Sequence, residues 1–140
     1  MKIRLVDVGI AVKDLGSAIH TYSQILPTNP IFLPSEYYAY PGLKGARFDL
    51  GNASISLVTS EDEQSPIARF VGKRGEGVNH ITFEVDDLEK QVATMSKQHL
   101  RFTTLQPLPF GGGRVIFAHP ESLHGVQIAF MQSGGGAGQP

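Results

Sequence analysis

The chain has 140 residues, 41% of them hydrophobic and 18% charged, with a formal net charge of -1. That is the composition of one globular domain rather than of a disordered or fibrous segment. Scattered, nearly balanced charge offers no footprint for nucleic acid or an anionic membrane surface. No apolar run approaches the roughly 20 residues of a membrane span, and the start of the chain shows no leader pattern, so a cytoplasmic protein is expected. The absence of cysteine removes disulfides, thiolate metal sites and cysteine nucleophiles together.

In chain order, residues 3–12 alternate and are β-branched, as a half-buried strand should be. Asp14 is placed to cap a helix whose buried stripe is Leu15, Ala18, Ile19, Tyr22, Ile25 and Leu26, and Pro27 and Pro30 stop it. Residues 34–42, with Tyr37, Tyr38 and Tyr40, read as a loop or irregular edge. Residues 46–50 and 54–58 flank Gly51-Asn52 as a hairpin. Residues 60–77 read as a connection carrying a short helix around Ile67 and Phe70. A strand follows over 78–85, then a capping box from Asp86 to Glu89 that opens a helix burying Leu88, Val92 and Met95. Strands over 102–105, 114–118 and 126–131 complete the pattern, and the Gly-rich residues 133–140 read as a flexible tail.

Internal repetition organises these elements. Residues 6–15 overlay residues 79–88, with Asp7 on His80, an offset of 80 - 7 = 73. The same offset carries Ser56 to Ala129, in the middle of the last strand, so one register holds at both ends of the unit. The expected fold is therefore α+β: two tandem βαβββ modules, at about 1–62 and 78–132, joined by a linker at about 63–77 within a single domain over 1–132. Their curved mixed sheet would surround a central cavity. By alternation, Asp7, Gly9 and Ala11 share one strand face, as do Ser54, Ser56 and Val58, then His80, Thr82 and Glu84, and finally Gln127, Ala129 and Met131. These faces hold more small and polar residues than their opposites, which points to a ligand site.

The runs Asp7-Val8-Gly9-Ile10-Ala11-Val12, Gly51-Asn52, Ser65-Pro66-Ile67-Ala68, Gly75-Glu76-Gly77-Val78-Asn79-His80-Ile81 and His119-Pro120 resemble the vicinal oxygen chelate superfamily. This is the glyoxalase, bleomycin-resistance and dioxygenase group, and the resemblance is closest to methylmalonyl-CoA epimerase-like members. It implies a divalent cation held by two His and two Glu or Gln, which binds vicinal substrate oxygens and stabilises an enolate. Position by position, those ligands fall on Asp7, Ser56, His80 and Ala129, so only His80 is retained. If any metal binds, His80 and Asp7 are its candidates, and no cofactor is otherwise expected. Gln127, two residues from Ala129 on the same face, is a displaced substitute.

Two readings follow. In one, the protein is an isomerase or lyase acting beside the carbonyl of a small compound, with a CoA or carrier-protein thioester as the substrate class. His80 and Asp7 then move the proton, the carboxylate raising the imidazole pKa. Ser56, Gln127, Thr82, Tyr38 and Tyr40 would contact the substrate, while Lys73, Arg74 and Arg114 would meet phosphates or simply be surface cations. In the other, the protein is a metal-free binder of a small molecule or antibiotic, and the polar groups are satisfied remnants. A homodimer is expected in either case.

Overall fold

The computed structural model describes residues 2–134. All but the first two residues of the expected tail lie outside that range. The fold is α+β, and among the described residues it has eight strands, three α-helices and two short 3-10 turns. The chain divides into two compact units. Among the described residues, one comprises residues 7–79, and the other comprises residues 2–6 together with 80–134.

In the unit of residues 7–79, the sheet order is β2 (Ile31–Leu33), β3 (Leu43–Asp49), β4 (Ser54–Ser60) and β1 (Ile3–Ala11, here from Asp7). β1 runs parallel to β4 and the other pairs are antiparallel, so the sheet is mixed. The β3–β4 hairpin turns at Gly51-Asn52 as the sequence predicts: Leu50 donates its N–H to the Ala53 carbonyl at 2.9 Å, and Gly51 takes φ +90. Helix α1 (Leu15–Ile25) starts where Asp14 accepts the Ser17 N–H at 3.0 Å. Its Leu15, Ala18, Ile19 and Tyr22 pack on Val12, Phe48 and Leu57 and cover one face of the sheet. The predicted connection contains α2 (Pro66–Arg74), capped by Ser65, whose hydroxyl accepts the Ala68 N–H.

In the other unit, the order is β5 (Gly77–Val85), β8 (Ile128–Gln132), β7 (Gly113–Ala118) and β6 (Leu108–Phe110). β5 runs parallel to β8, and the remaining pairs are antiparallel. Helix α3 (Leu88–Lys97) lays Leu88 and Met95 into a cluster with Val85, Ile116, Ala118 and Phe130. Two expectations are corrected in this unit. The cap of α3 is Asp87, whose carboxylate accepts the Lys90 N–H at 3.1 Å, not Asp86; with two adjacent aspartates, pattern cannot say which one turns out of the helix. The strand predicted over 102–105 shrinks to a single bridge from Phe102 to Ala118, and the edge strand forms at Leu108–Phe110 instead.

The repeat is written into the pairing. Gly9 faces Ser56 and Thr82 faces Ala129, both displaced by 73. On the next strand the register shifts. Arg47 faces Ser56 and Phe117 faces Ala129, an offset of 117 - 47 = 70, because the turn after β7 is longer than the one after β3.

Candidate functional site

The face of the first unit's sheet that α1 leaves uncovered carries Asp7 and Ala11 of β1, Ser54, Ser56 and Val58 of β4, and Gly45, Arg47 and Asp49 of β3. One end of this face is apolar: Ala11, Leu43, Val58 and Ile67 pack with Tyr38, Tyr40, Phe70 and Val71. Gly45 belongs here by necessity, since a Cβ at that position would collide with the Tyr38 hydroxyl and the Leu57 carbonyl. The other end is polar. Ser54 and Ser56 both donate their hydroxyls to Oδ1 of Asp7, at 2.5 and 2.8 Å, so neither engages Oδ2. Burial raises the Asp7 carboxyl above the ordinary aspartate value, against the pull of the two hydroxyls and of Arg47.

Arg47 is held tightly, its side chain only 15% exposed. Its Nε lies 3.4 Å from Asp49 Oδ1, yet this buried N–H makes no hydrogen bond of acceptable geometry among the described residues. Tyr37 is hydrogen-bonded to the same guanidinium, and burial pushes its phenol pKa upward. Tyr38 meets Tyr37 edge-on at 5.4 Å, and its pKa is likewise raised by burial.

In the second unit, His80, Thr82 and Glu84 share a face of β5. His80 is half-buried, with its ring edge-on to Phe117 at 6.5 Å. Burial pushes its pKa down to about 4, leaving a neutral imidazole at ordinary pH. The expected upward shift of this histidine is therefore reversed, because desolvation of the ring dominates. Thr82 is buried opposite Ala129. Gln127 is half-buried, and its backbone carbonyl accepts the Ile81 N–H at 3.1 Å. Glu84 is engaged by Ser133 and Arg4, which hold its carboxyl below the usual range.

The cations offered for phosphate are spent or dispersed. Arg114 pairs with Glu89, Arg74 lies over Phe70 at 5.8 Å, and Lys73 is exposed. His119 caps the turn at Pro120–Leu123 by accepting the Glu121 N–H. His20, His99 and His124 are exposed. A shallow groove of about 330 Å³ opens beside the start of α1 near Lys13, Lys44 and Glu61, and none of the expected site residues lines it.

The donor set does not fit the divalent cation that the resemblance implies. Ala129 has no donor and is 1% exposed, and the Ser56 hydroxyl is committed to Asp7. Among the described residues, no three His, Asp or Glu side chains gather as a metal would require. Arg47 is the functional candidate that pattern reading passes over. A hairpin centred on Gly51-Asn52 pairs Arg47 with Ser56 by simple counting, so the signal was present in the turn.

Comparison with known proteins places these residues in context. Residues 7–117 match the family model described as the Glyoxalase/Bleomycin resistance protein/Dioxygenase superfamily. The mitochondrial methylmalonyl-CoA epimerase of Homo sapiens is 33% identical over 135 residues, which span 93% of this chain and 74% of that protein. The crystal structure of methylmalonyl-CoA epimerase from Mycobacterium tuberculosis superposes with a TM-score of 0.81 at 31% identity, covering 92% of this chain and 87% of that one. A hypothetical protein, BH1468 from Bacillus halodurans C-125, superposes with a TM-score of 0.86 at 30% identity over 99% of both chains.

Proposed function

Because the chain belongs to the glyoxalase/bleomycin resistance protein/dioxygenase superfamily, we propose that it is an isomerase-type enzyme that moves a proton next to the carbonyl of a small acyl compound, with Asp7 as the base. One observation carries this reading: a buried carboxyl with a raised pKa, both of whose serine hydrogen bonds end on Oδ1. A base works best when its pKa approaches the working pH, and burial moves Asp7 in that direction. The Oδ2 atom takes the C–H proton and returns it to the same carbon; return to the original face gives exchange, and return after the planar enolate has turned its other face toward Asp7 gives racemisation or epimerisation at that carbon. No metal enters the reaction.

His80 has a separate proton-handling role. Neutral at ordinary pH, its imidazole has one nitrogen that donates and one that accepts, so it can hold or pass on a proton. The names of the relatives, methylmalonyl-CoA epimerases, support a CoA or carrier-protein thioester as the substrate class. The proposal extends to one catalytic domain over residues 1–132, working as a cytoplasmic homodimer.

The test is isotope exchange. Methylmalonyl-CoA and other 2-substituted acyl-CoA thioesters are incubated with the protein in D2O and followed by proton NMR at the carbon beside the thioester. Wild type exchanges, and Asp7→Asn lowers the rate by about 100-fold or more, the usual range for a lost general base. A wild-type protein that exchanges none of these substrates would sink the enzyme reading. Ala129, where the resemblance implies a metal-binding side chain, favours a second reading: a protein that binds its ligand without converting it. Saturable binding without exchange is its signature.

A further inference from the structure

We infer that Arg47, steadied by Tyr37, is the receptor for a carboxylate group carried by the ligand, so that a charge on the protein meets the anionic end of the molecule Asp7 acts on. The inference deepens the proposed function and rests on it for calling that ligand a substrate.

The argument is one of charge and unsatisfied donors. A guanidinium does not lose its proton in a protein, so it needs anionic or hydrogen-bonding partners when taken out of water. The side chain of Arg47 is only 15% exposed. Its available partners are incomplete. Asp7 presents Oδ1 to Ser54 and Ser56. Asp49 is the near carboxylate at 3.4 Å, but its side chain is 56% exposed and the contact misses hydrogen-bond geometry at Nε. Tyr37 contributes a neutral phenol.

The unsatisfied atom also specifies the ligand. Nε–H and the adjacent Nη–H form a parallel pair of donors; Asp49 lies against Nε at 3.4 Å, and a ligand carboxylate that displaces it matches that edge with two oxygens. The surface beside it suits such a guest. Arg47 faces Ser56, and beyond Ser56 the same row continues to Gly9, which has no side chain to occupy the sheet surface. On the other side Ile31 faces Arg47 across β2 and supplies an apolar wall. A short carboxylate-bearing acyl group fits this combination of cation, hydroxyl and apolar edge.

The test uses malonate as probe on the full chain at neutral pH. The Arg47 Nε–H resonance, identified by its loss in Arg47→Lys, is followed by nitrogen-15 NMR of the wild type during titration with sodium malonate, and malonate affinity is measured for wild type and every variant by isothermal titration calorimetry. Sodium chloride at matched ionic strength and inorganic phosphate serve as comparisons. The expected result is a saturable shift with malonate, affinity at least tenfold weaker in Arg47→Lys, and affinity increased in Asp49→Asn, which removes the competing carboxylate. Arg47→Leu abolishes binding; if that variant unfolds, the lysine variant decides the matter, since it keeps the charge and changes only the fork. A wild-type protein with no saturable shift, or a lysine variant that binds malonate unchanged, overturns the inference. Phosphate binding as tightly as malonate overturns the carboxylate assignment. Malonate binding with no isotope exchange would overturn the enzyme reading and leave this site standing, whereas exchange with no malonate site would do the reverse.

Discussion

Arg47 stands directly opposite Ser56 across the pairing of β3 and β4, and Ser56 donates its hydroxyl to Asp7 at 2.8 Å. Cation, hydroxyl and carboxylate are thus set side by side on three adjacent strands. Replacing Ser56 by Ala removes a donor that favours the ionised carboxyl, while the burial that opposes ionisation remains. The Asp7 pKa should rise further above the ordinary aspartate value, since a hydrogen bond that favours the charged form is gone. Carbon-13 NMR of the carboxyl checks this, and an unchanged or lower value would show that the hydroxyl does not govern the acid.

His80 gives the fold a dependence on pH. Its pKa in the folded chain lies near 4, below its ordinary 6.5, so the unfolded chain binds the proton more readily. The stability contributed by the neutral ring is complete above about pH 6.5 and is lost as the pH falls toward about 4. At about 1.4 kcal/mol per pKa unit, and discounted for the ring's partial exposure, the loss is on the order of 2 kcal/mol. Asp7, raised in the folded state, has the opposite sign and favours the fold at low pH. Thermal melts between pH 7 and 5 should therefore fall more steeply for wild type than for His80→Gln, and parallel curves would exclude the assignment.

The fold was legible because its repeat and its turn chemistry are local. Asp14 and Gly51-Asn52 each act through their neighbours, and the offset linking Asp7 to His80 also links the pairings of Gly9 with Ser56 and Thr82 with Ala129. Pattern does not separate Asp86 from Asp87 as the cap of α3, because the two are chemically alike and only backbone direction chooses between them. Strand pairing at the second unit's edge was misplaced because Phe102 makes one bridge and then leaves the sheet. The direction of the His80 shift was out of reach for a different reason. Sequence supplies the charged neighbour, but desolvation depends on how the rest of the chain encloses the ring. No motif points to Arg47, because it sits on β3, outside the adjacent strands β4 and β1 that carry the ligand positions the resemblance supplies.

Gly45 should tolerate no side chain. Its Cβ would meet the Tyr38 hydroxyl and the Leu57 carbonyl, and the carbonyl belongs to the β3–β4 pairing and cannot swing aside. Gly45→Ala is expected to cost about 1–3 kcal/mol, the usual range for overpacking, and to displace Tyr38 from the cluster of Ala11, Leu43, Val58 and Ile67. Denaturant unfolding measures the loss. Combining Gly45→Ala with Tyr38→Phe separates the two clashes: relief in the double variant assigns the strain to the hydroxyl, and no relief assigns it to the backbone.

Divalent metals should leave the protein's stability unchanged. A ligand that binds only the native state raises stability in proportion to the logarithm of its concentration over Kd, so a site with Kd of about 10 µM would add about 2.7 kcal/mol at about 1 mM metal. Such a site needs three or four donors in fixed geometry. Ala129 supplies none, and Ser56 already directs its hydrogen at Asp7. Magnesium, manganese, cobalt and zinc at about 1 mM should thus shift the melting midpoint by less than about 1 °C, against several degrees for a filled site. A larger shift that disappears in Asp7→Asn would mean that the carboxylate reaches donors outside this arrangement. Asp7 would then be a ligand first, and its role as base would pass to another residue.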